Sequence, residues 1–195
     1  MAITNGYATL AEYKAYASID STDATDDGVI EDLIESASRY IDAQTGRTFY
    51  ARTETRYFSV PGSRELRFDD DLLTITTLTN GNGTTIASTE YYFLPRNVSP
   101  KYALKLKEGS STAWYPDSDS NYEYVISIAG TWGYTATRPD DISAACMEIT
   151  KASYGRRKGQ NMQGVARVTA AGVVITPQDI PASAMAIIKR YRKYN

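Results

Sequence analysis

Between residues 52 and 138 the spacing of apolar residues changes from three-and-four to two, and after Pro139 it changes back. A period of 3.6 hides its apolar side as a helix, and a period of 2 does so as a strand. The switch therefore dictates helices, then strands, then helices within one chain of 195 residues. That order is an α+β fold, a small helical bundle built from N-terminal and C-terminal helices with an inserted antiparallel β domain. The expected divisions are 1–52 for the first helices, 53–137 for the β domain and 138–195 for the helices that complete the bundle. The last division includes a mobile arm at about residues 156–176.

Local signals place the helices. Thr9-Leu10-Ala11-Glu12 is a capping box, so a short helix is expected from Leu10 to about Ala17 with Leu10, Tyr13 and Ala17 on one face. Asp26 and Asp27 put negative charge at the positive end of a second helix. Its stripe is Val29, Ile30, Leu33, Ile34, Ala37, Tyr40 and Ile41, and Gly46 is its stop. After Pro139 the residues Ile142, Ala145, Cys146, Ile149 and Ala152 form a further stripe, which fades at Gly155 to Gly159. Small and β-branched residues then alternate through 159–176, as in an arm or a hairpin. A last helix is expected from Pro181, with Met185, Ile187 and Ile188 as its apolar side.

In the middle block, Thr55–Val60 and Glu65–Phe68 flank Pro61-Gly62-Ser63 and read as a hairpin. Leu72–Thr79 stops at Asn80-Gly81-Asn82-Gly83, a turn signal. Glu90–Leu94 and Tyr102–Lys107 follow. Tyr122, Tyr124, Ile126 and Ile128 alternate onto a further face. The sum is about six strands, enough for a small sheet or barrel. Sixteen tyrosines against four phenylalanines point weakly to contact surface, because a tyrosine ring tolerates a half-dry setting.

Chemistry is scarce. The chain has no histidine, which removes the commonest general base and most transition-metal ligand sets. Its one cysteine, Cys146, sits in an apolar run and reads as a core residue. No glycine-rich loop carries the Lys-Ser/Thr that cradles phosphate. Asp117-Ser118-Asp119-Ser120-Asn121 imitates the start of a calcium loop, but Tyr122 stands where glycine is needed and Ile128 where the bidentate glutamate belongs. Asp69-Asp70-Asp71 reads as a turn between strands rather than as a cation site. No catalytic residue, metal site or cofactor is expected. No apolar run approaches the ~20 residues that span a bilayer, and no membrane partner or export signal is expected.

Charge is uneven along the chain. Residues 1–137 hold 11 Lys/Arg and 19 Asp/Glu, whereas residues 138–195 hold 10 and 4. The candidate partner-binding residues are two cationic runs, Arg156-Arg157-Lys158 and Lys189-Arg190-Tyr191-Arg192-Lys193-Tyr194. Three roles stay open for them: acidic protein neighbours, DNA phosphates, and complementing the negative ends of helices. DNA ranks below the other two, because the net charge of the whole chain is −2.

Several of these segments, in this order, resemble the head-tail connector (head completion adaptor) proteins of tailed phages. They are Tyr7 to Tyr16, Asp26 to Asp42, Thr45-Gly46-Arg47, Gly130-Thr131-Trp132-Gly133-Tyr134, Arg138-Pro139-Asp140-Asp141-Ile142, Asp179-Ile180-Pro181, and the ending at Tyr191-Arg192. The resemblance implies a structural adaptor of the virion neck, made in the host cytoplasm and assembled as a homo-oligomeric ring, usually of twelve subunits. Its implied partners are the portal protein, a stopper or tail completion protein, and double-stranded DNA passing through the channel without sequence-specific binding. It further implies that the C-terminal segment, Lys189 to Tyr194, reaches the portal, and that Arg156–Lys158 serve a partner contact. Simpler members of the family are almost all helical, so the resemblance gives no role to the β block. Two other readings stay open on the residues: a tyrosine-rich glycan- or receptor-binding module of a phage tail, and a hydrolase built on carboxylates alone.

Overall fold

Helix α1 (Leu10–Ala17) begins at the capping box: the Thr9 hydroxyl accepts from the Glu12 N–H at 3.2 Å, and the Glu12 carboxylate accepts from the Thr9 N–H at 2.7 Å. It belongs to a computed structural model that describes residues 3–159, 164–169, 172–177 and 180–193, the two middle segments as backbone. The chain divides into two compact units, Met1–Gly46 with Arg138–Asn195, and Arg47–Thr137.

In the first unit, α1 buries Tyr13 completely. Lys14, also on α1, is buried, and its ammonium pairs with Asp27 at 2.6 Å and donates to the Asp23 carbonyl at 2.8 Å. A single buried cation thus fastens the acidic 20–27 loop. Helix α2 (Asp27–Thr45) buries Ile30, Ile34, Ala37, Ser38, Ile41 and Thr45, and stops at Gly46 in the left-handed region, φ 65°, where an L side chain is strained. Helix α3 (Asp140–Arg157) buries Ile142, Ala145, Cys146 and Ile149. Ala152, expected on that stripe, is only half-buried. Helix α4 (Ala182–Tyr191) buries Ala184 and Ile188. Ten residues are too few for a stable isolated helix, so packing on α2 and α3 is what holds α4.

Helix direction follows from the contacts at the helix ends. Tyr154, near the end of α3, donates to Asp26 at the start of α2 at 2.7 Å. Asp141, at the start of α3, receives Arg190 and Tyr191 from the end of α4. Helix α3 is therefore antiparallel to both neighbours. Of the stretch expected as an arm, Arg156 and Arg157 close α3, while β6 (Gly164–Thr169) pairs with β7 (Gly172–Pro177) as an antiparallel hairpin. Residues 160–163 and 170–171 lie outside the described residues.

In the second unit five antiparallel strands lie in the order β1-β5-β2-β4-β3. They are β1 (Arg52–Phe58), β2 (Glu65–Thr79), β3 (Tyr91–Leu94), β4 (Lys101–Leu106) and β5 (Ile126–Trp132). Three sequence expectations fail here. The segments around Pro61-Gly62-Ser63 do not form a hairpin, because β5 lies between β1 and β2 and pairs with both. Its buried face of Ile126, Ile128, Gly130 and Trp132 suits that interior place. A Cβ on Gly130 would stand 2.3 Å from the Thr74 carbonyl oxygen, so glycine is what lets β2 approach. Asp69-Asp70-Asp71 is not a turn but an irregularity inside one fifteen-residue strand, whose first part pairs with β4 and whose second pairs with β5. Tyr122 and Tyr124 do not continue the face of Ile126 and Ile128; both precede β5 and are exposed.

The core of this unit centres on Trp132, Phe58 and Phe68, with ring centroids 5.6–5.9 Å apart. The Trp132 indole N–H donates to the Glu54 carbonyl at 3.2 Å, so the ring's only polar atom is satisfied.

Tyr13 is a counterexample. Its hydroxyl is buried without a hydrogen-bond partner among the described residues, and burial pushes its pKa up to about 12. Tyr13→Phe is expected to leave the chain equally stable or up to about 1 kcal/mol more stable, read from denaturant midpoints. A loss above that size would reveal a partner for the hydroxyl.

Candidate partner-binding surfaces

The structure sends the two cationic runs to opposite ends of the helical unit. Arg156, Arg157 and Lys158 end α3, and Lys189 to Lys193 end α4 beside the start of α3. The eighteen residues of α3 separate them by roughly 25 Å at 1.5 Å per residue. They are two sites, not one.

At the first end, Lys158 is exposed but paired within the unit. Its ammonium lies 2.6 Å from the Asp26 carboxylate, which also accepts from Tyr154. Asp26 therefore does not cap α2 with its side chain, the role its position suggests; the carboxylate is spent on α3. The hydrogen bond from Lys158, then that from Tyr154, hold the Asp26 carboxyl below its ordinary range. The same contact raises the pKa of Lys158 and of Tyr154. A depressed carboxylate stabilises the fold above its unfolded value near 4 and loses that effect as pH falls; raised Lys and Tyr groups lose theirs as pH climbs past about 10. The difference in melting temperature between the parent chain and Asp26→Asn is therefore expected to be largest between about pH 5 and 9 and to shrink on both sides. A difference that failed to shrink below about pH 4 and above about pH 10 would show the contact to be idle. Arg156 is exposed and reaches Ser153 at 3.1 Å, while Arg157 is exposed and pairs with no carboxylate among the described residues.

At the second end, Arg190 pairs with Asp141 at 2.6 Å, and the Tyr191 hydroxyl donates to the same carboxylate at 2.9 Å. The Lys193 N–H donates to the Thr45 carbonyl at 2.8 Å, which ties the tail to the end of α2. Lys189 and Arg192 are exposed, with no carboxylate partner among the described residues. Tyr194 lies outside the described residues. The charge split along the chain is thus partly cancelled inside the helical unit, where Arg138 binds Glu12 and Lys158 binds Asp26. Among the described residues, the cations of these runs without a carboxylate partner are Arg157 at one end, and Lys189 with Arg192 at the other.

In the β unit each of the three aspartates of β2 is paired with an arginine. Arg47 reaches Asp71 at 2.6 Å, Arg52 reaches Asp70 at 2.5 Å, and Arg56 spans Asp69 and Asp70 at 2.9 Å each. Arg56 also lies over the Trp132 ring at 4.8 Å, and Arg47 over Tyr134 at 4.9 Å. Desolvation works against the charge of Arg56, but its carboxylate partners outweigh it and raise its pKa. A cation bound there would have to displace three guanidinium groups. Among the described residues no group of three or more acidic or Cys side chains is arranged to hold a metal. Cys146 is buried in the helical core, and burial pushes its thiol pKa up, which leaves it unreactive. No described helix is long and apolar enough to cross a membrane.

Sequence reasoning missed the exposed tyrosines Tyr57, Tyr122 and Tyr124 as a surface. The signal available was the polar run 117–121 directly before Tyr122, which marks a loop rather than the continuation of a buried face.

Comparison with known proteins completes the picture. No curated protein matches the chain in sequence. Among solved structures, a chain from the neck of an empty gene transfer agent (GTA) particle computed with C6 symmetry is similar at a TM-score of 0.60 and 14% identity, covering 100% of this chain and 94% of that one. A chain from the neck of the native particle computed with C12 symmetry gives 0.59 and 14%, over 100% and 93%. One from the virion of the native gene transfer agent gives 0.57 and 16%, over 100% and 94%. At such identities the likeness establishes a shared fold, β insertion included. The profile of the head completion protein family matches residues 7–194, nearly the whole sequence, and the chain belongs to that family.

Proposed function

We propose that the chain is one subunit of a neck ring that joins the portal to the stopper or tail completion protein and continues the DNA channel. The observation that carries this reading is the family match over residues 7–194. The family is structural and not enzymatic. The fold shared along its full length with chains from necks computed with C6 and C12 symmetry supports a ring, with twelve copies as the proposed number. Double-stranded DNA passes through such a ring with no sequence readout.

In this reading the C-terminal end, Lys189 to Tyr194, faces the portal. Lys189 and Arg192 supply charge there, and the tail is pre-set by the Lys193–Thr45 bond and the Asp141 contacts. In the same reading the chain is a monomer in solution and oligomerises on the portal, which acts as the template.

Cryo-electron microscopy of purified particles tests the reading. The chain is expected as a ring at the portal–tail junction, and its absence from that junction would sink the proposal. A Lys189→Glu/Arg192→Glu variant, which removes no ion pair among the described residues, is expected to fold normally and to yield filled heads without tails.

A further inference from the structure

Three large rings stand in water at one end of the five-stranded sheet. Tyr57, Tyr122 and Tyr124 are 60%, 56% and 69% exposed. The backbone brings them together. Tyr57 is the penultimate residue of β1, the Val60 N–H donates to the Tyr122 carbonyl at 2.8 Å, and the Tyr124 N–H donates to the Ser59 hydroxyl at 3.2 Å. Isolated exposed aromatics are ordinary, but three carried on adjoining backbone form the kind of surface that proteins cover.

The charge around the rings says what covers them. Asp117, Asp119 and Glu123 are interleaved with the two later tyrosines, and no cation pairs with them among the described residues. Aromatic faces rimmed by carboxylates suit guanidinium groups, which stack on rings and bond to carboxylates at once. The chain carries such groups itself: Arg156 and Arg157 are exposed at the end of α3, and Arg157 has no carboxylate partner among the described residues. A contact between two different patches of identical chains is heterologous, and it makes a ring when its rotation closes.

We infer that, within the ring proposed above, the Tyr57–Tyr122–Tyr124 end of one copy's sheet seats against Arg156 and Arg157 of the next copy. The inference rests on the ring reading and adds the surfaces that meet.

The test places a photo-crosslinking amino acid at position 124 in the full chain and irradiates assembled particles. The expected product is an adduct of two copies of the 21.5 kDa chain, with the joined peptide mapping to the end of α3. Arg156→Glu/Arg157→Glu is expected to cut its yield about tenfold. Adding Asp117→Arg/Glu123→Arg to that variant is expected to restore it, a rescue that damage to the fold would not show. Adducts to the portal or to a tail protein, no adduct from particles that contain the chain, or saccharide binding lost with Tyr122→Ser/Tyr124→Ser would each overturn the inference while leaving the ring intact. Particles whose neck lacks the chain altogether would overturn the ring reading as well.

Discussion

Trp132→Ala is expected to cost about 3–5 kcal/mol of unfolding free energy, the usual range for truncating a fully buried large aromatic ring. Three losses add up there. The ring leaves a cavity between Phe58 and Phe68, the Glu54 carbonyl loses its indole donor, and Arg56 loses the face over which its guanidinium lies. Both tryptophans are in the β unit, so the variant retains Trp114 as its fluorescent reporter. Urea titration of Trp114 emission should show the midpoint falling steeply, with far-UV circular dichroism of the helices following separately if the two units unfold apart. A loss below about 1 kcal/mol would mean that the sheet is held elsewhere.

The second large effect is expected at Arg47. Asp71 is buried, its side chain 3% exposed, and Arg47 is its ion-pair partner at 2.6 Å. Removing one member of such a pair leaves a charge in a dry place, and Arg47→Met should cost about 3–5 kcal/mol. Replacing both members, in Arg47→Met/Asp71→Leu, should recover about half of that or more, because the desolvation of two ions disappears together. Thermodynamic cycles on the four chains check this, and additive losses would refute the coupling. If it holds, the ladder of arginines and aspartates along β1 and β2 shapes the strand more than it stabilises it.

That ladder also explains why part of the fold could not be read in advance. The helices were legible because their determinants are local: Thr9 with Glu12, the stripe from Ile30 to Ile41, and Gly46 are each decided within a few residues. Strand pairing is decided by distant partners. Nothing near Asp69–Asp71 announces that Arg47, Arg52 and Arg56 will neutralise them and keep a turn-forming triplet extended. Nor does Pro61-Gly62-Ser63 reveal that residues 126–132 will separate the strands it connects. At the candidate surfaces the residue types were legible and their arrangement was not. In sequence Lys158 and Arg190 are indistinguishable from Arg157 and Lys189, yet each is tied to a carboxylate of its own unit. The exposed tyrosines were hidden by an alternation that continues, by coincidence, into β5.

The insertion has a consequence during synthesis. The β unit is one uninterrupted segment, Arg47–Thr137, and can close its core as soon as β5 is made. The helical unit cannot. Ile30, Ile34 and Ile41 emerge first, and their covering residues on α3 begin only at Ile142, about a hundred residues later. At ~5–20 residues per second the ribosome leaves that apolar stripe bare for roughly 5–20 s, while a finished sheet hangs between it and its cover. The nascent chain is most exposed to mispairing in that interval, and slowing elongation within residues 47–137 should lower soluble yield more than slowing it after residue 157.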